Sequence, residues 1–248
     1  MPSYLVTGAS RGIGLGIVTK LLQDPENFVI AAVRNPEAES IKKLGNEYPK
    51  ARFAVITLDY SDYASIAPAA DEAAKFLPAG LDHLISNAAV SFQEGASFET
   101  IDLKLFEEEL RVNTVAPIEV VRQFLPLVRK SAAKKVVLVS TVVGSLELAP
   151  NLATLAITYG ATKAGLNILA RKWAAVLYEE GITTLALHPG WVETGSGPGI
   201  KDWWAKRDPD RRPITVQQSV EDTLRVIKEA KLEEKIKLYS HTGDVLPW

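Results

Sequence analysis

Tyr159 and Lys163 stand four residues apart in the stretch TYGATKAG at 158–165. In a helix that interval puts both side chains on one face, about one turn apart. A nearby ammonium favours a phenolate and lowers a pKa that is ordinarily near 10, so the hydroxyl can both give and take a proton near neutrality. That ability suits chemistry in which an oxygen gains or loses charge and a proton must follow. The same pair is common on solvated helix surfaces, so its meaning depends on the rest of the chain.

A second cluster lies near the start. The apolar run YLVTG at 4–8 leads into TGASRGIGLG, where Gly8, Gly12 and Gly14 are spaced G-x-x-x-G-x-G. At a strand-to-helix turn, glycines let the backbone approach a pyrophosphate, and the following helix offers free N–H groups and the positive end of its dipole. The turn is expected to bind a dinucleotide through Gly8, Ser10, Arg11, Gly12, Ile13 and Gly14. At the end of the next strand candidate, AAVRNP carries Arg34 where a carboxylate would favour an unphosphorylated ribose. Arg11 and Arg34 could converge on one phosphate through forked, charge-assisted hydrogen bonds, so the expected cofactor is NADP(H).

These residues need a frame, and the hydrophobic pattern supplies one. Seven short apolar runs, at 4–8, 28–33, 52–58, 82–88, 135–140, 182–189 and 236–240, lack a polar face, as strands covered on both sides do. Helical spacing lies between most of them. In TKAGLNILARKWAAVLYEEG, Leu166, Leu169, Trp173 and Val176 keep a three-and-four rhythm and Gly181 marks a stop. Alternating strands and helices imply an α/β, doubly wound, mostly parallel seven-stranded sheet with helices on both faces. No linker divides residues 1–248, so a single domain is expected. The segment 195–213, rich in Gly, Pro and charge, reads as a loop-rich insertion over the substrate.

Composition narrows the chemistry. The 248 residues are 47% hydrophobic and 23% charged, with 28 basic against 30 acidic residues and a net charge of −2, so nothing favours nucleic acid or a membrane surface. Cysteine is absent, which removes thiolate catalysis and sulfur-ligated zinc. Any redox chemistry must come from a cofactor, and no metal is expected. The N-terminus lacks a secretory signal pattern and no window nears the roughly 20 apolar residues of a membrane span, so a soluble, cytoplasmic protein is the expectation.

The glycine turn and the Tyr–Lys pair occur with LDYSD at 58–62, NAA at 87–89, RVNTVAP around Asn113, VSTVVGS at 139–145 and HPGWVET at 188–194. In this order the chain resembles the short-chain dehydrogenase/reductase family over nearly its whole length. It looks nearest to carbonyl reductases and ketoreductases of the sniffer-type and C-factor-like groups and to fungal polyketide ketoreductases. The resemblance implies a Rossmann fold and NADPH-dependent reduction of a ketone or aldehyde. Tyr159 is then the general acid/base and Lys163 its pKa modulator and ribose ligand. Asn113 would anchor a water in the proton path. Asp59 would contact adenine beside Tyr60, Asn87 and Ala88 would line the nucleoside, and Pro189, Gly190, Val192 and Thr194 would hold the nicotinamide amide.

The family's substrate-orienting hydroxyl falls three residues before a glycine, which is Thr141 here, with Ser140 next and Ser145 a distant third. Thr141 precedes Tyr159 by 18 residues, a longer interval than the family commonly shows. The small-molecule substrate is expected to be hydrophobic or aromatic, given Trp191, Trp203 and Trp204 in the loops. A homodimer or homotetramer is possible. A non-catalytic NADP(H) sensor, an enoyl reductase or an epimerase are the alternatives.

Overall fold

The computed structural model describes residues 1–194 and 198–248. Among them, eight strands form one sheet in the order β3-β2-β1-β4-β5-β6-β7-β8. In chain order these are β1 (Ser3–Thr7), β2 (Phe28–Val33), β3 (Phe53–Thr57), β4 (His83–Ser86), β5 (Lys135–Val139), β6 (Thr183–His188), β7 (Leu238–Ser240) and β8 (Val245–Leu246). The first seven are parallel and β8 runs antiparallel to β7. The expected seven-stranded sheet thus gains an eighth strand. Two residues, too short a run to register as a strand by periodicity, pair because the turn at 241–244 folds them back on β7.

Among the described residues eight α-helices accompany the strands: α1 (Gly12–Leu22), α2 (Glu39–Glu47), α3 (Ile66–Phe76), α4 (Leu103–Leu110), α5 (Ala116–Lys130), α6 (Ile157–Tyr178), α7 (Pro198–Arg207) and α8 (Val216–Glu229). Successive strand residues alternate between two cores. Leu5, Val136, Leu138 and Ala186 join α3, α5 and α6, whereas Val6, Val137, Val139, Leu185 and Leu187 join α1, α2 and α8. A period-2 backbone whose residues are apolar at every position must be covered on both sides, and it is.

The chain order reverses between β1 and β4, each of which feeds its next helix on opposite sides. A crevice therefore opens beyond the carboxyl ends of these strands, the place where doubly wound sheets bind ligands. All the predicted cofactor segments follow strand ends bordering it or lying beside it.

The insertion at 195–213 is not loop throughout, since Pro198–Arg207 forms α7. Its glycines and prolines lie at the margins of the helix, and Gly195, Ser196 and Gly197 fall outside the described residues. On α6 the core stripe is Leu166, Ala170, Ala174 and Leu177, while Val176 is 66% exposed and Trp173 only partly buried. The rhythm therefore covers the protein's own sheet with Leu166 and turns Val176 outward. No helix among the described residues is long and apolar enough to cross a membrane.

Phe124 is the largest fully buried side chain and packs α5 into the first core. Phe124→Ala is expected to lower unfolding free energy by about 3–5 kcal/mol in urea titration, and Val176→Ala to change it by less than about 0.5 kcal/mol.

Candidate active site

The glycine turn is shaped by contacts that tolerate no Cβ. Gly8 has φ +67°, and a Cβ there would lie 2.9 Å from Ala88 Cα; on Gly14 it would lie 2.4 Å from Gly8 O and 2.6 Å from Asn87 Nδ2. The β1–α1 and β4 turns are thereby pressed together. Thr7 ties them: its Oγ1 accepts from Asn87 N (3.0 Å) and Ala88 N (3.1 Å), and Asn87 Nδ2 donates to Thr7 O (2.9 Å). Across the crevice, Thr194 packs its methyl over Gly12. Gly8, Gly12, Gly14, Asn87, Ala88 and Thr194 thus form one neighbourhood.

Arg11 precedes the first turn of α1, and Arg34 follows β2. Both are exposed, and among the described residues neither guanidinium has an ion pair or side-chain hydrogen bond. Ser10 O accepts from Ser40 Oγ at 2.7 Å, which anchors the turn to α2. Asp59 Oδ1 accepts from Ser61 N and Oγ, bracing the end of β3. Tyr60 turns its side chain inward. It is 3% exposed and its hydroxyl is shared with Thr7 Oγ1 (2.9 Å) and Ser86 Oγ (2.8 Å), with burial pushing its pKa up to about 12. Its side chain supports the turns from beneath and is not presented to a cofactor.

On the far side, Pro189 O accepts from Ser219 Oγ at 2.6 Å, and Gly190, at φ +91°, leaves no room for a Cβ beside Ile214 and His241. Val192 forms a parallel bridge with Ile214. The HPGWV segment is thus a braced backbone surface facing the same crevice end.

The residues for proton chemistry converge on α6. After β5, a short 3-10 turn (Val142–Gly144) packs on the helix so closely that a Cβ on Gly144 would lie 2.8 Å from Ala164 N, and one on Gly160 2.9 Å from Val143 O. This approach carries Thr141 toward the first turns of α6. Thr141 Oγ1 accepts from Val143 N at 3.2 Å, which leaves its O–H free to donate. Ser140, on the opposite face of the strand, donates to Asn167 Oδ1 at 2.5 Å and is 2% exposed. Ser145 Oγ accepts from Leu148 N. Ser140 has its hydroxyl hydrogen committed to Asn167, whereas Thr141 and Ser145 each accept one backbone N–H and keep an O–H to donate.

Lys163 is 2% exposed, and its Nζ donates to Val139 O at 2.9 Å. Burial pulls its pKa down to about 8. Its ammonium lies 5.7 Å from the Tyr159 ring centroid, so the two do share a helix face. The expected lowering of the phenol's pKa is not what the structure has. Partial withdrawal from water first, then the carboxylates of Glu94 and Glu109, push Tyr159 up. The ring packs in an apolar cluster with Leu155, Ala156, Trp203 and Trp204.

Asn113 lies in a π-helical turn, Arg111–Val115, between α4 and α5. Its Oδ1 accepts from Val90 N (2.9 Å), and its Nδ2 donates to Val90 O (2.7 Å) and Thr162 Oγ1 (3.1 Å). Both amide hydrogens are committed to protein, so the side chain is a clamp. Thr7, Thr162, Asn167 and Glu109 escaped the sequence reading. The first three lie inside quoted stretches, but Thr7 pairs with Asn87, Thr162 with Asn113 and Asn167 with Ser140, separations of 80, 49 and 27 residues that no spacing rule covers.

Residues 3–204 match the family model for short chain dehydrogenases, and the chain belongs to that family. An uncharacterised oxidoreductase of Schizosaccharomyces pombe is 31% identical over 254 residues, spanning 99% of this chain and 97% of the relative. A short-chain dehydrogenase/reductase of Aspergillus aculeatus is 33% identical over 252 residues, 94% of each chain. Among solved structures, the NADPH-bound carbonyl reductase from chicken fatty liver superposes with a TM-score of 0.86 at 31% identity, covering 100% of this chain and 99% of that one. The carbonyl reductase Sniffer of Drosophila melanogaster shares the fold, with a TM-score of 0.87 at 24% identity over the full length of both.

The close packing at Gly144 predicts a stability effect distinct from chemistry. Gly144→Ala is expected to cost about 1–3 kcal/mol by overpacking against the α6 backbone, seen as a lowered midpoint in thermal or urea unfolding.

Proposed function

We propose that this oxidoreductase uses NADPH to reduce a ketone or aldehyde to an alcohol, reversibly, with Tyr159 as the proton donor. The observation that carries the reading is Tyr159 with buried Lys163 on one face of α6 and the Thr141 turn docked beside it. All stand at the carboxyl end of a sheet whose first turn is a Cβ-free cradle. The residues fit a dinucleotide: the glycine turn allows backbone approach at the N-terminus of α1, and two guanidiniums without ion pairs among the described residues stand where a 2′-phosphate would be read. The chicken relative is described as NADPH-bound, which agrees with that preference. When bound, the nicotinamide supplies the hydride.

The chain's own groups do the rest. Tyr159 Oη gives its proton to the carbonyl oxygen as negative charge develops there, and takes one back in the reverse direction. A raised phenol pKa suits the donor role. Lys163 has two Nζ hydrogens beyond the one held by Val139 O, available to the ribose hydroxyls, and fixes the reacting geometry from the interior. Thr141 Oγ1 donates to the substrate oxygen and orients it. Asn113 holds the 90–92 segment in place and, through Thr162, which donates to Tyr159 O at 2.7 Å, stiffens the first turn of α6.

The substrate side is aromatic. Trp191 stacks on Trp204 at 5.8 Å, Trp204 meets Trp203 edge-on at 4.9 Å, and Trp203 Nε1 donates to Thr154 Oγ1 at 2.9 Å. α7 thereby lays an indole wall beside Tyr159. A hydrophobic or aromatic carbonyl compound is the substrate class this wall fits.

Tyr159→Phe is expected to reduce kcat for NADPH-dependent ketone reduction by about 10²–10⁴-fold while leaving NADPH binding, read by fluorescence, nearly intact. Reduction that survives in this variant would sink the reading. Thr141→Val should lower kcat/KM by at least about tenfold and Thr141→Ser should restore most of it, whereas Ser140→Ala acts on stability. Replacing Arg34 by Glu should cut the NADPH-over-NADH preference by about 10-fold or more, and an unchanged ratio would remove Arg34 from phosphate recognition.

A further inference from the structure

The C-terminal hairpin has no part in the chemistry above, yet its turn reaches the cofactor crevice. β7 and β8 pair antiparallel, and the turn between them is closed by Ser240, whose N donates to Asp244 O at 2.8 Å and whose Oγ accepts from Asp244 N at 3.1 Å. Arg225, on α8, adds a hydrogen bond to Thr242 O at 3.1 Å. His241 is the first residue of this fixed turn. Its Nδ1 bonds Asp222 Oδ2 on α8 at 3.0 Å. The opposite edge of the ring lies against Gly190, where a Cβ would stand 2.9 Å from His241 Cδ2 and 3.1 Å from its Nε2. The imidazole is therefore a strut, tied to a helix along one edge and pressed on a backbone corner along the other. Three residues before Asp222, buried Ser219 donates to Pro189 O at 2.6 Å. One face of α8 thus braces two neighbouring residues of the same corner, Pro189 directly and Gly190 through His241.

That corner borders the reacting centre. Val139 pairs with Leu187, so Pro189 and Gly190 leave β6 beside the turn that carries Thr141, and Val139 O is the carbonyl that holds Lys163. From Gly190 the chain passes the bridge of Val192 with Ile214 and arrives at Thr194, whose methyl lies over Gly12. A dinucleotide with its phosphates at the glycine turn and its nicotinamide at Tyr159 has the 189–194 segment as its wall. Filling the space beneath Gly190 needs only an apolar side chain. A ring bonded to a carboxylate adds a set rotation, because the bond of Nδ1 to Asp222 fixes which edge faces Gly190, and supports of this kind decide how closely a reacting group is held. We propose that His241, oriented by Asp222, is a positioning residue for the nicotinamide half of the cofactor, acting through the Gly190 corner.

This inference rests on NADPH occupying the crevice with its nicotinamide at Tyr159. It concerns one half of the cofactor. The cradle for the phosphate-bearing half is braced by other residues: Gly8 and Gly14 press on Ala88 and Asn87, and Ser10 O accepts from Ser40 Oγ. Losing the strut is therefore expected to loosen the nicotinamide end and leave the phosphate end as it is.

The test is binding of NADPH and of adenosine 2′,5′-bisphosphate, which carries the ribose phosphate and no nicotinamide, measured by calorimetry beside kcat for ketone reduction. The proteins compared are wild type, His241→Ala, Asp222→Ala and the double variant. His241→Ala is expected to weaken NADPH binding several-fold and to lower kcat by about tenfold, with the affinity for the bisphosphate unchanged. Asp222→Ala leaves the ring but unties it, and should cause a smaller loss of the same selective kind. In the double variant it should add nothing to His241→Ala, because it acts through the ring. A folded His241→Ala that keeps the wild-type NADPH affinity and kcat overturns the proposal. So does one that weakens both ligands alike, since a general loosening of the fold does not distinguish the two halves. Should His241→Ala not fold, Asp222→Ala decides: a loss confined to NADPH and kcat supports the proposal, and wild-type values overturn it. A wild-type protein that binds no NADPH defeats instead the cofactor assignment beneath, so the two failures are distinguishable.

Discussion

Lys163 is an ammonium with 2% exposure, held by one carbonyl, Val139 O, at the end of the strand that precedes the Thr141 turn. Much of the site follows from keeping that cation there. A buried charge is tolerated only with partners placed to meet it, and the partner here is a strand end, so α6 must lie tightly across the carboxyl edge of β5. Gly144 and Gly160 make the approach possible by removing the Cβ atoms that would collide with the opposing backbone. The same approach sets Thr141 beside the helix and leaves Ser140 beneath it, bound to Asn167.

The crevice between β1 and β4 answers to a second packing constraint of the same kind. Gly8 and Gly14 leave only enough space for Ala88 and Asn87, and Thr7 and Tyr60 fill what remains with hydroxyl bonds. Two polar cradles, one for a phosphate-bearing cofactor and one for a proton, are therefore joined through the sheet. Backbone carries each of them, so each is as rigid as the strands it ends. The aromatic wall of α7 is of a different nature. It rests on stacked indoles, one hydrogen bond to Thr154 and two guanidinium–indole contacts, contacts made by side chains and not by ladders of peptide bonds.

The electrostatics around Tyr159 show why a motif does not reveal a proton affinity. A cation at i+4 suggests a lowered phenol pKa, and taken alone that inference is sound. Around it, however, are an apolar cluster and two carboxylates, Glu94 and Glu109, contributed by segments 50 to 65 residues earlier in the chain. Burial and these carboxylates push the phenol up, while the ammonium turns to Val139. The sign of the shift belongs to the whole neighbourhood.

The apolar runs, their lack of a polar face and the alternation with helices were enough to define a doubly wound parallel sheet, because burial on both sides imposes that pattern locally. The glycine spacing, Tyr159, Lys163, Arg11 and Arg34 could be singled out for the same reason, each being a residue type tied to a turn or a helical interval, whereas Asn113 rests on the family resemblance alone. Other features have no local signature. The pairing of Val245–Leu246 as β8, the helix within the 195–213 insertion, the burial of Tyr60 and the tie of Ser140 to Asn167 all depend on what lies opposite. So does Glu109, which in the run FEEELR looks like one more solvated charge and is made a buried one only by the docking of the 90–94 segment and α6. Sequence by itself determined which groups are present and which share a strand or a helical face, since those follow from periodicity along the backbone. Tertiary structure alone decided which of them are withdrawn from water and which charges face one another, since burial and Coulombic interaction depend on distance through space and not along the chain.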